Sequence, residues 1–449
     1  MFQLTMKKLK ITFSLIVVTL FVNLGSCQQV NSSKLDSLLD ILVVKHKSMG
    51  SMAIAKNGKI IYAKSIGIRF VNNGDTILSD SHTKYRIGSI SKMFTATMIF
   101  QLIDEGKLTL TATLDQYFPE IPNAGKITIG NMLNHSSGLF NFTSDPSYLT
   151  WMTTPKTHEE LLKIISDYKP VFEPGSKNEY SNTNYVLLGY IVEKIYNRPY
   201  AECLKNNIIK RIWLTGTSYG EKASAGNNEC ISFAFNKTWQ PLPETDMSIP
   251  GGAGAIVATA GDLTKFISAL FSNKLVSEKS LATMRTLTNG FGMGMFPESF
   301  NGKSGFGHGG SIDGFTSYLV YYPEDSLAIA YCSNERGYPA NTVKQDALTI
   351  YYGLPFKIPE FKTIALTSEE LDKYLGVYSS KQLPLKITIT KDKNTLIAQA
   401  TGQSSFPLDA TDKDVFKFDA AGIVLKFNTD KKEMVLEQGG GVFLFTKED

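Results

Sequence analysis

Ser89 and Lys92 stand three residues apart in Tyr85-Arg86-Ile87-Gly88-Ser89-Ile90-Ser91-Lys92-Met93-Phe94. A hydroxyl at neutral pH is a poor nucleophile, and a close amine of lowered pKa can take its proton. Residues three apart on a helix emerge on the same face. The chemistry this spacing offers is acyl transfer through a serine. The same spacing recurs at Ser81/Lys84 and Ser166/Lys169. Ser81 lies in a polar stretch, and Ser166 falls near the end of an amphipathic segment stopped by Pro170. Only Ser89 follows a β-like run closed by glycine and precedes a long apolar helix, read through Phe94, Met98 and Leu102 with Ile99 and Ile103 beside them. At a helix start, free backbone N–H groups favour developing negative charge.

Two further clusters have types suited to the same chemistry. Tyr180 and Asn182 lie in Asn178-Glu179-Tyr180-Ser181-Asn182, just before a buried helical run. A tyrosine can share a proton with an amine, and an asparagine can hold a substrate amide or the lysine. The other reading is a packed tyrosine at a helix start with Asn182 as N-cap. His308-Gly309-Gly310-Ser311 belongs to a glycine-rich strand that can lie flat against a substrate and offer a backbone N–H. Its alternative is an edge strand with an incidental histidine. His135, in His135-Ser136-Ser137-Gly138-Leu139, reads as a turn histidine bonded to backbone. The chain's five histidines show no metal-ligand spacing, so neither metal nor cofactor is expected. Pro250 to Leu263 is glycine-rich but lacks the Gly-Lys-Ser/Thr ending of a phosphate loop.

The elements around these residues follow from pattern. Lys34 to His46 has helical periodicity through Leu35, Leu38, Leu39 and Leu42. Ser51–Ala55 and Ile60–Ala63 flank Asn57-Gly58, a hairpin signal. The helix after Ser89 ends near Gly106, and another starts near Thr259. Phe315–Tyr322 and Leu327–Ser333 read as strands joined at Pro323-Glu324-Asp325. Residues 356–365 read as a linker. Residues 366–449 hold a short helix at Ser368–Tyr374 and then short strands, which suggests a small β-barrel. That barrel is either a stabilising appendage or a wall at the active-site mouth.

The amino terminus is a targeting segment. Lys7, Lys8 and Lys10 precede an apolar run too short to span a bilayer comfortably, then Leu24-Gly25-Ser26-Cys27. Residues 1–26 read as a signal peptide, with Cys27 as a lipidated amino terminus and 27–34 as a tether. Ordinary secretion with an incidental Cys27 is the alternative. The expected location is the bacterial envelope, lipid-anchored and facing the periplasm. Removing three lysines from a formal charge of +4 leaves a nearly neutral chain with no basic patch for nucleic acid. Cys203, Cys230 and Cys332 make no disulfide framework, although a Cys203–Cys230 bridge is open.

Ser89-x-x-Lys92, Tyr180-x-Asn182 and His308-Gly309-Gly310, in that order, resemble the penicillin-recognising serine hydrolases: class C β-lactamases, D-alanyl-D-alanine carboxypeptidases, D-aminopeptidases and related esterases. His135–Leu139 is similar to the family's His-Thr-Ser-Gly-Leu turn. Pro174-Gly175, Leu187-Leu188-Gly189 and Ala258–Leu263 are similar too. The resemblance covers roughly residues 35–355. It implies an α/β fold, an antiparallel sheet flanked by helices plus a mostly helical lobe, with the site between them. It implies Ser89 as nucleophile, Lys92 and Tyr180 as proton carriers, and Asn182, His308, Gly309 and Gly310 as substrate-binding residues. Backbone N–H groups of Ser89 and Ser311 form the implied oxyanion hole. His-Gly-Gly replaces the Lys-Thr-Gly of true β-lactamases, so a D-amino-acid peptide, amide or small ester is expected before a penicillin. A β-lactamase or D-alanyl-D-alanine carboxypeptidase is the nearest alternative, and a non-catalytic envelope sensor keeping the fold is the other. Tyr374-Leu375-Gly376-Val377-Tyr378 resembles the opening of the lipocalin-like tail found on some of these hydrolases.

Overall fold

The computed structural model describes residues 30–72, 74–236 and 238–448. The signal segment and Cys27 lie outside the described residues. Helix α1, Ser32–Val44, starts earlier than the 27–34 tether allows. Asn31 caps it, its Oδ1 accepting from Lys34 N–H at 3.1 Å, so the tether is shortened by a capping signal.

One antiparallel sheet carries the larger domain. Its strands are β1 (Gly50–Lys56), β2 (Lys59–Ile66), β3 (Phe296–Phe300), β4 (Lys303–Ile312), β5 (Phe315–Tyr322) and β6 (Leu327–Ser333), in spatial order β3-β4-β5-β6-β1-β2. Asn57 and Gly58 turn the β1–β2 hairpin with φ of 51° and 73°, the left-handed values a two-residue hairpin requires. β1 joins the sheet by pairing with β6, Ala53 opposite Ala330, so the two ends of the domain's sequence are stitched side by side.

Alternation along these strands decides what each face holds. Met52, Ile54, Ile329 and Tyr331 face α1 and α5 (Ala340–Tyr351) in one core. Ala53, Ala55, Ala328 and Ala330 face the other way. Those small side chains let α4 (Ala260–Phe271) and the helical lobe approach the sheet closely. Thr259 caps α4, accepting from Asp262 N–H at 3.1 Å. In the lobe, α2 (Ser91–Asp104) is buried on every side from Ser91 to Leu102, beyond the single stripe its periodicity suggests. It packs on α3 (Asn182–Tyr196).

The carboxy-terminal strands close into an eight-stranded barrel in which each strand pairs antiparallel with the next, and Gly376–Ser379 pairs with Gly441–Lys447. Ile389, Leu396, Phe416, Leu425, Met434 and Phe445 fill its interior. Two strands are absent from the sequence reading, Gly376–Ser379 and Phe406–Asp412. Pro407 and three polar residues blur the alternation of the second. The linker is pinned, with Phe356, Ile358 and Phe361 packed on the α1/α5 core. Lys47 bridges the domains, its Nζ 2.8 Å from both Asp409 and Asp419. Cys203, Cys230 and Cys332 are buried free thiols, which removes the Cys203–Cys230 bridge.

Candidate active site

Gly88–Ile90 form a tight 3-10 turn that feeds directly into α2. Ser89 sits in this turn, two residues before the helix that the sequence pattern begins at it. Gly88 has φ of +52°, and a Cβ there would lie 2.7 Å from the backbone nitrogen of Ser311. A Cβ on Gly310 would strike the carbonyl oxygen of Ile87. Glycine at both positions is what lets β4 lie directly against the Ser89 turn.

The side chains then converge. Lys92 Nζ is 3.0 Å from Ser89 Oγ, 2.7 Å from Asn182 Oδ1 and 2.9 Å from the Ala253 carbonyl oxygen. Lys92 is wholly buried, and burial holds its amine well below the usual lysine range. No carboxylate pairs with it among the described residues. A neutral amine has two N–H bonds and one lone pair. Asn182 Oδ1 and Ala253 O take the two donors, which leaves the lone pair for the Ser89 hydroxyl proton. Tyr180 donates its hydroxyl to Ser89 Oγ at 2.7 Å, and burial pushes its phenol above the usual range, so it stays a donor. The arrangement can move a proton from serine to lysine and another from tyrosine toward the serine side.

Asn182 holds the first position of α3 while Ser181 is the N-cap, so the N-cap alternative gives way to a lysine contact. Its orientation is fixed by Thr143 Oγ1, accepting from Nδ2 at 3.0 Å, and by Asn141 Oδ1, accepting from its backbone N–H at 3.0 Å. His135 behaves as the turn histidine expected. Its Nδ1 accepts from Ser181 N–H at 3.1 Å, and its ring stacks on Tyr180 at 4.5 Å. It therefore positions Tyr180.

The strand β4 supplies the opposite wall. The β4–β5 turn is the two-residue Asp313-Gly314, which makes Ile312 and Phe315 a hydrogen-bonded pair. Alternation then directs the N–H groups of Gly309 and Ser311 to the other edge. β3 pairs with β4 only from Lys303 to Gly307, so 308–312 have no strand on that side among the described residues. This open edge faces the Ser89 turn. His308 is nearly buried, its ring 5.0 Å from Phe296 and 6.2 Å from Tyr180. Its Nδ1–H donates to Gly309 O at 2.5 Å. Burial, and then the charge of Lys92, lower its pKa to about 3, so an ordinary value near 6.5 does not hold here.

Sequence reading missed several neighbours. Ala253, Thr143 and Asn141 act through contacts between distant segments. Phe291 and Phe296, 5.2 Å apart, form an aromatic wall beside His135 and His308. Exposed Arg336 donates from Nη2 to Ser311 Oγ at 3.1 Å. The two decoys stay apart: Ser81 is exposed, and Ser166 Oγ donates to Lys163 O at 2.8 Å.

A helix-flanked antiparallel sheet, with a serine wired to a buried lysine where sheet and lobe meet, defines the β-lactamase/transpeptidase-like class of fold. A sequence model described as Beta-lactamase matches residues 43–352, and the chain belongs to that family. Its members include amidases and penicillin-binding proteins. The chain is 24% identical to Penicillin-binding protein 4* of Bacillus subtilis, over 92% of this chain and 98% of that protein. The structure of a D-stereospecific amidohydrolase from Streptomyces superposes with a TM-score of 0.58 at 27% identity, covering 68% of this chain and 94% of the other. An octameric penicillin-binding protein homologue from Pyrococcus abyssi gives a TM-score of 0.65 at 24% identity, covering 93% and 100%.

Proposed function

We propose that this chain is a serine hydrolase that cleaves an amide or ester through an acyl-enzyme, with a D-amino-acid peptide, amide or small ester as substrate. The observation carrying this is Ser89 Oγ held between the buried Lys92 amine, 3.0 Å away, and the Tyr180 hydroxyl, 2.7 Å away. Ser89 Oγ attacks the carbonyl carbon while its proton passes to the Lys92 lone pair. The oxyanion faces the N–H groups of Ser89 and Ser311, each such donor being worth roughly 10²–10³ in rate in comparable sites. The C–N or C–O bond breaks, and the leaving group takes a proton from the Tyr180/Lys92 pair. Water, deprotonated by the same pair, then releases the acid. Asn182 keeps Lys92 aimed.

The likeness to a D-stereospecific amidohydrolase supports a D-configured amide, and neutral His308 supports a substrate without a carboxylate at that point. Arg336 favours a second reading, a carboxylate-bearing substrate such as a β-lactam or D-alanyl-D-alanine peptide, because it sets a cation beside Ser311. Labelling with a fluorescent fluorophosphonate tests the nucleophile. Wild type should label and Ser89→Ala should not, with Ser81→Ala as control. Equal labelling of Ser89→Ala refutes the assignment, and no labelling of wild type favours the sensor reading. Arg336→Ala separates the substrates. It should leave a neutral ester untouched, whereas a ten- to hundredfold loss on nitrocefin, the effect of about 1.5–3 kcal/mol from one charged hydrogen bond, supports the second reading.

Lipid anchoring at Cys27, with the enzyme facing the periplasm, is part of the proposal. The small-residue run before Cys27 supports it. Cys27→Ala should move the protein out of the membrane fraction. Mass spectrometry finding an unmodified mature terminus elsewhere would end the idea.

A further inference from the structure

One end of the sheet carries a basic groove with an exposed tryptophan. Asn57 and Gly58 of the β1–β2 turn line it with Arg211, Trp213, Lys265 and Lys274, around a space of about 480 Å³. No carboxylate lines it among the described residues. Lys265 Nζ donates to Trp213 O at 2.6 Å, and Arg211 Nη2 reaches Lys274 O at 3.4 Å. Those partners are backbone carbonyls, so both charges stay unneutralised. Lys59, beside the turn, is exposed as well. The adjacent β5–β6 turn brings exposed Glu324, and Asp325, which is taken by Lys303 Nζ at 2.8 Å and Tyr352 Oη at 2.6 Å.

Apolar groups stand among these cations. Trp213 ends the short helix Lys210–Ile212 with φ of 55° and is 79% exposed. Glycine or asparagine is usual in that left-handed position, so ending the helix gives no reason for an indole there. Ile60, 53% exposed, lies on the edge strand β2. A Cβ on Gly261 would come within 3.3 Å of its Cδ1, which sets it beside α4 one turn before Lys265. An indole and an aliphatic side chain amid cations suit the boundary between lipid headgroups and acyl chains.

The path of the chain points to the same end. Asp36 accepts from Tyr62 Oη at 2.9 Å, and Asp40 is 2.8 Å from Lys64 Nζ. Helix α1 therefore runs parallel to β2, and its start lies toward Ile60 and the Asn57-Gly58 turn. Val30 packs on the α1/α5 core just before that start. Cys27 is three residues earlier, at most about 11 Å away along an extended chain. A lipid on Cys27 would hold this end of the sheet against a bilayer. The register sets Ser311 level with Thr316, Ser333 and Gly50. Lys56 is six residues further along β1, roughly 20 Å at about 3.3 Å per residue. The catalytic end is thus the far end. Building on lipid anchoring at Cys27, we propose that the Trp213 groove and the β1–β2 turn dock on a bilayer surface containing anionic phospholipid, with Ser89 directed away from it.

The test uses the full lipidated chain on vesicles of phosphatidylcholine, alone or in equal parts with phosphatidylglycerol, with bromine on the acyl chains. Flotation on neutral vesicles reads the anchor: wild type should float and Cys27→Ala should not. Quenching of tryptophan by bromine reads the docking. Anionic vesicles should quench wild type, and Trp213→Phe should lose that quenching while Trp151 and Trp239 keep emitting. Each basic group at an anionic surface strengthens contact about fivefold. Lys59→Glu/Lys274→Glu should therefore remove most of the quenching, as should high salt. Both variants should turn over a neutral ester in detergent at the wild-type rate. If nothing floats on neutral vesicles, the anchor alone falls, and flotation on anionic vesicles still reads the groove. Wild type should then bind at least tenfold more tightly than Lys59→Glu/Lys274→Glu. Trp213 left unquenched in chains floated on anionic vesicles, or quenching and binding unchanged in the double variant, overturns the proposal. So does a dimer in detergent that Trp213→Phe dissociates, which would give the groove to a second copy.

Discussion

Lys92 and His308 show how burial changes what a side chain can do. Lys92 is wholly buried with no carboxylate beside it among the described residues, so desolvation holds its amine well below the usual lysine range. The protonated form cannot act as base. The kcat/KM profile should therefore rise with pH through that lowered value and then stay flat, since Tyr180 keeps its proton above the usual tyrosine range. Lys92→Arg, which stays charged, should abolish turnover, and Tyr180→Phe should cost roughly 10²–10⁴. His308, at about 3, is neutral across pH 5 to 8. His308→Gln should thus leave the acid limb in place, and a limb that shifts would mean His308 titrates in catalysis. His308→Lys should raise nitrocefin hydrolysis relative to a neutral ester about ten- to hundredfold if the new cation meets a carboxylate.

The β4 strand matters through its backbone. Its open edge exists because β3 stops at Phe296, and it reaches Ser89 because positions 88 and 310 lack a Cβ. Gly310→Ala must push β4 away from the Ile87 carbonyl. The proposed oxyanion donor, the Ser311 N–H, moves with it, and a lost donor costs about 2.7–4 kcal/mol of barrier. Turnover should fall by roughly 10²–10³ at nearly unchanged KM, measured by steady-state kinetics on protein whose circular dichroism matches wild type. An unchanged kcat would place the oxyanion elsewhere. Ala53, Ala55, Ala328 and Ala330 serve the same end on the sheet face, since larger residues would hold α4 and the lobe off the sheet.

Hydrolase domain and barrel have separate cores, joined by the pinned linker and by Lys47. Lys47 is 16% exposed, and Asp409 and Asp419, each at 2.8 Å, outweigh its desolvation and raise its pKa. Lys47→Met leaves those carboxylates facing each other without a cation. Differential scanning calorimetry should show the barrel and hydrolase transitions moving apart, while turnover at 25 °C stays within about twofold. A cooperative single transition at the wild-type temperature would mean that Lys47 does not couple the domains.

The sequence by itself determined the parts whose signals are local. Ser-x-x-Lys before an apolar helix, the Asn57-Gly58 turn, the Phe315–Tyr322 and Leu327–Ser333 strands and most barrel strands follow from spacing, turn chemistry and alternation within a dozen residues. The family resemblance read from three motifs agrees with the matched residues 43–352. The tertiary structure decided whatever depends on segments far apart in the chain. Ala253 meets Lys92 across 161 residues and Thr143 meets Asn182 across 39, contacts that leave no periodic trace. It also decided protonation. The ordinary pKa of a histidine or lysine belongs to a solvated side chain, and only packing removes the water that holds it there.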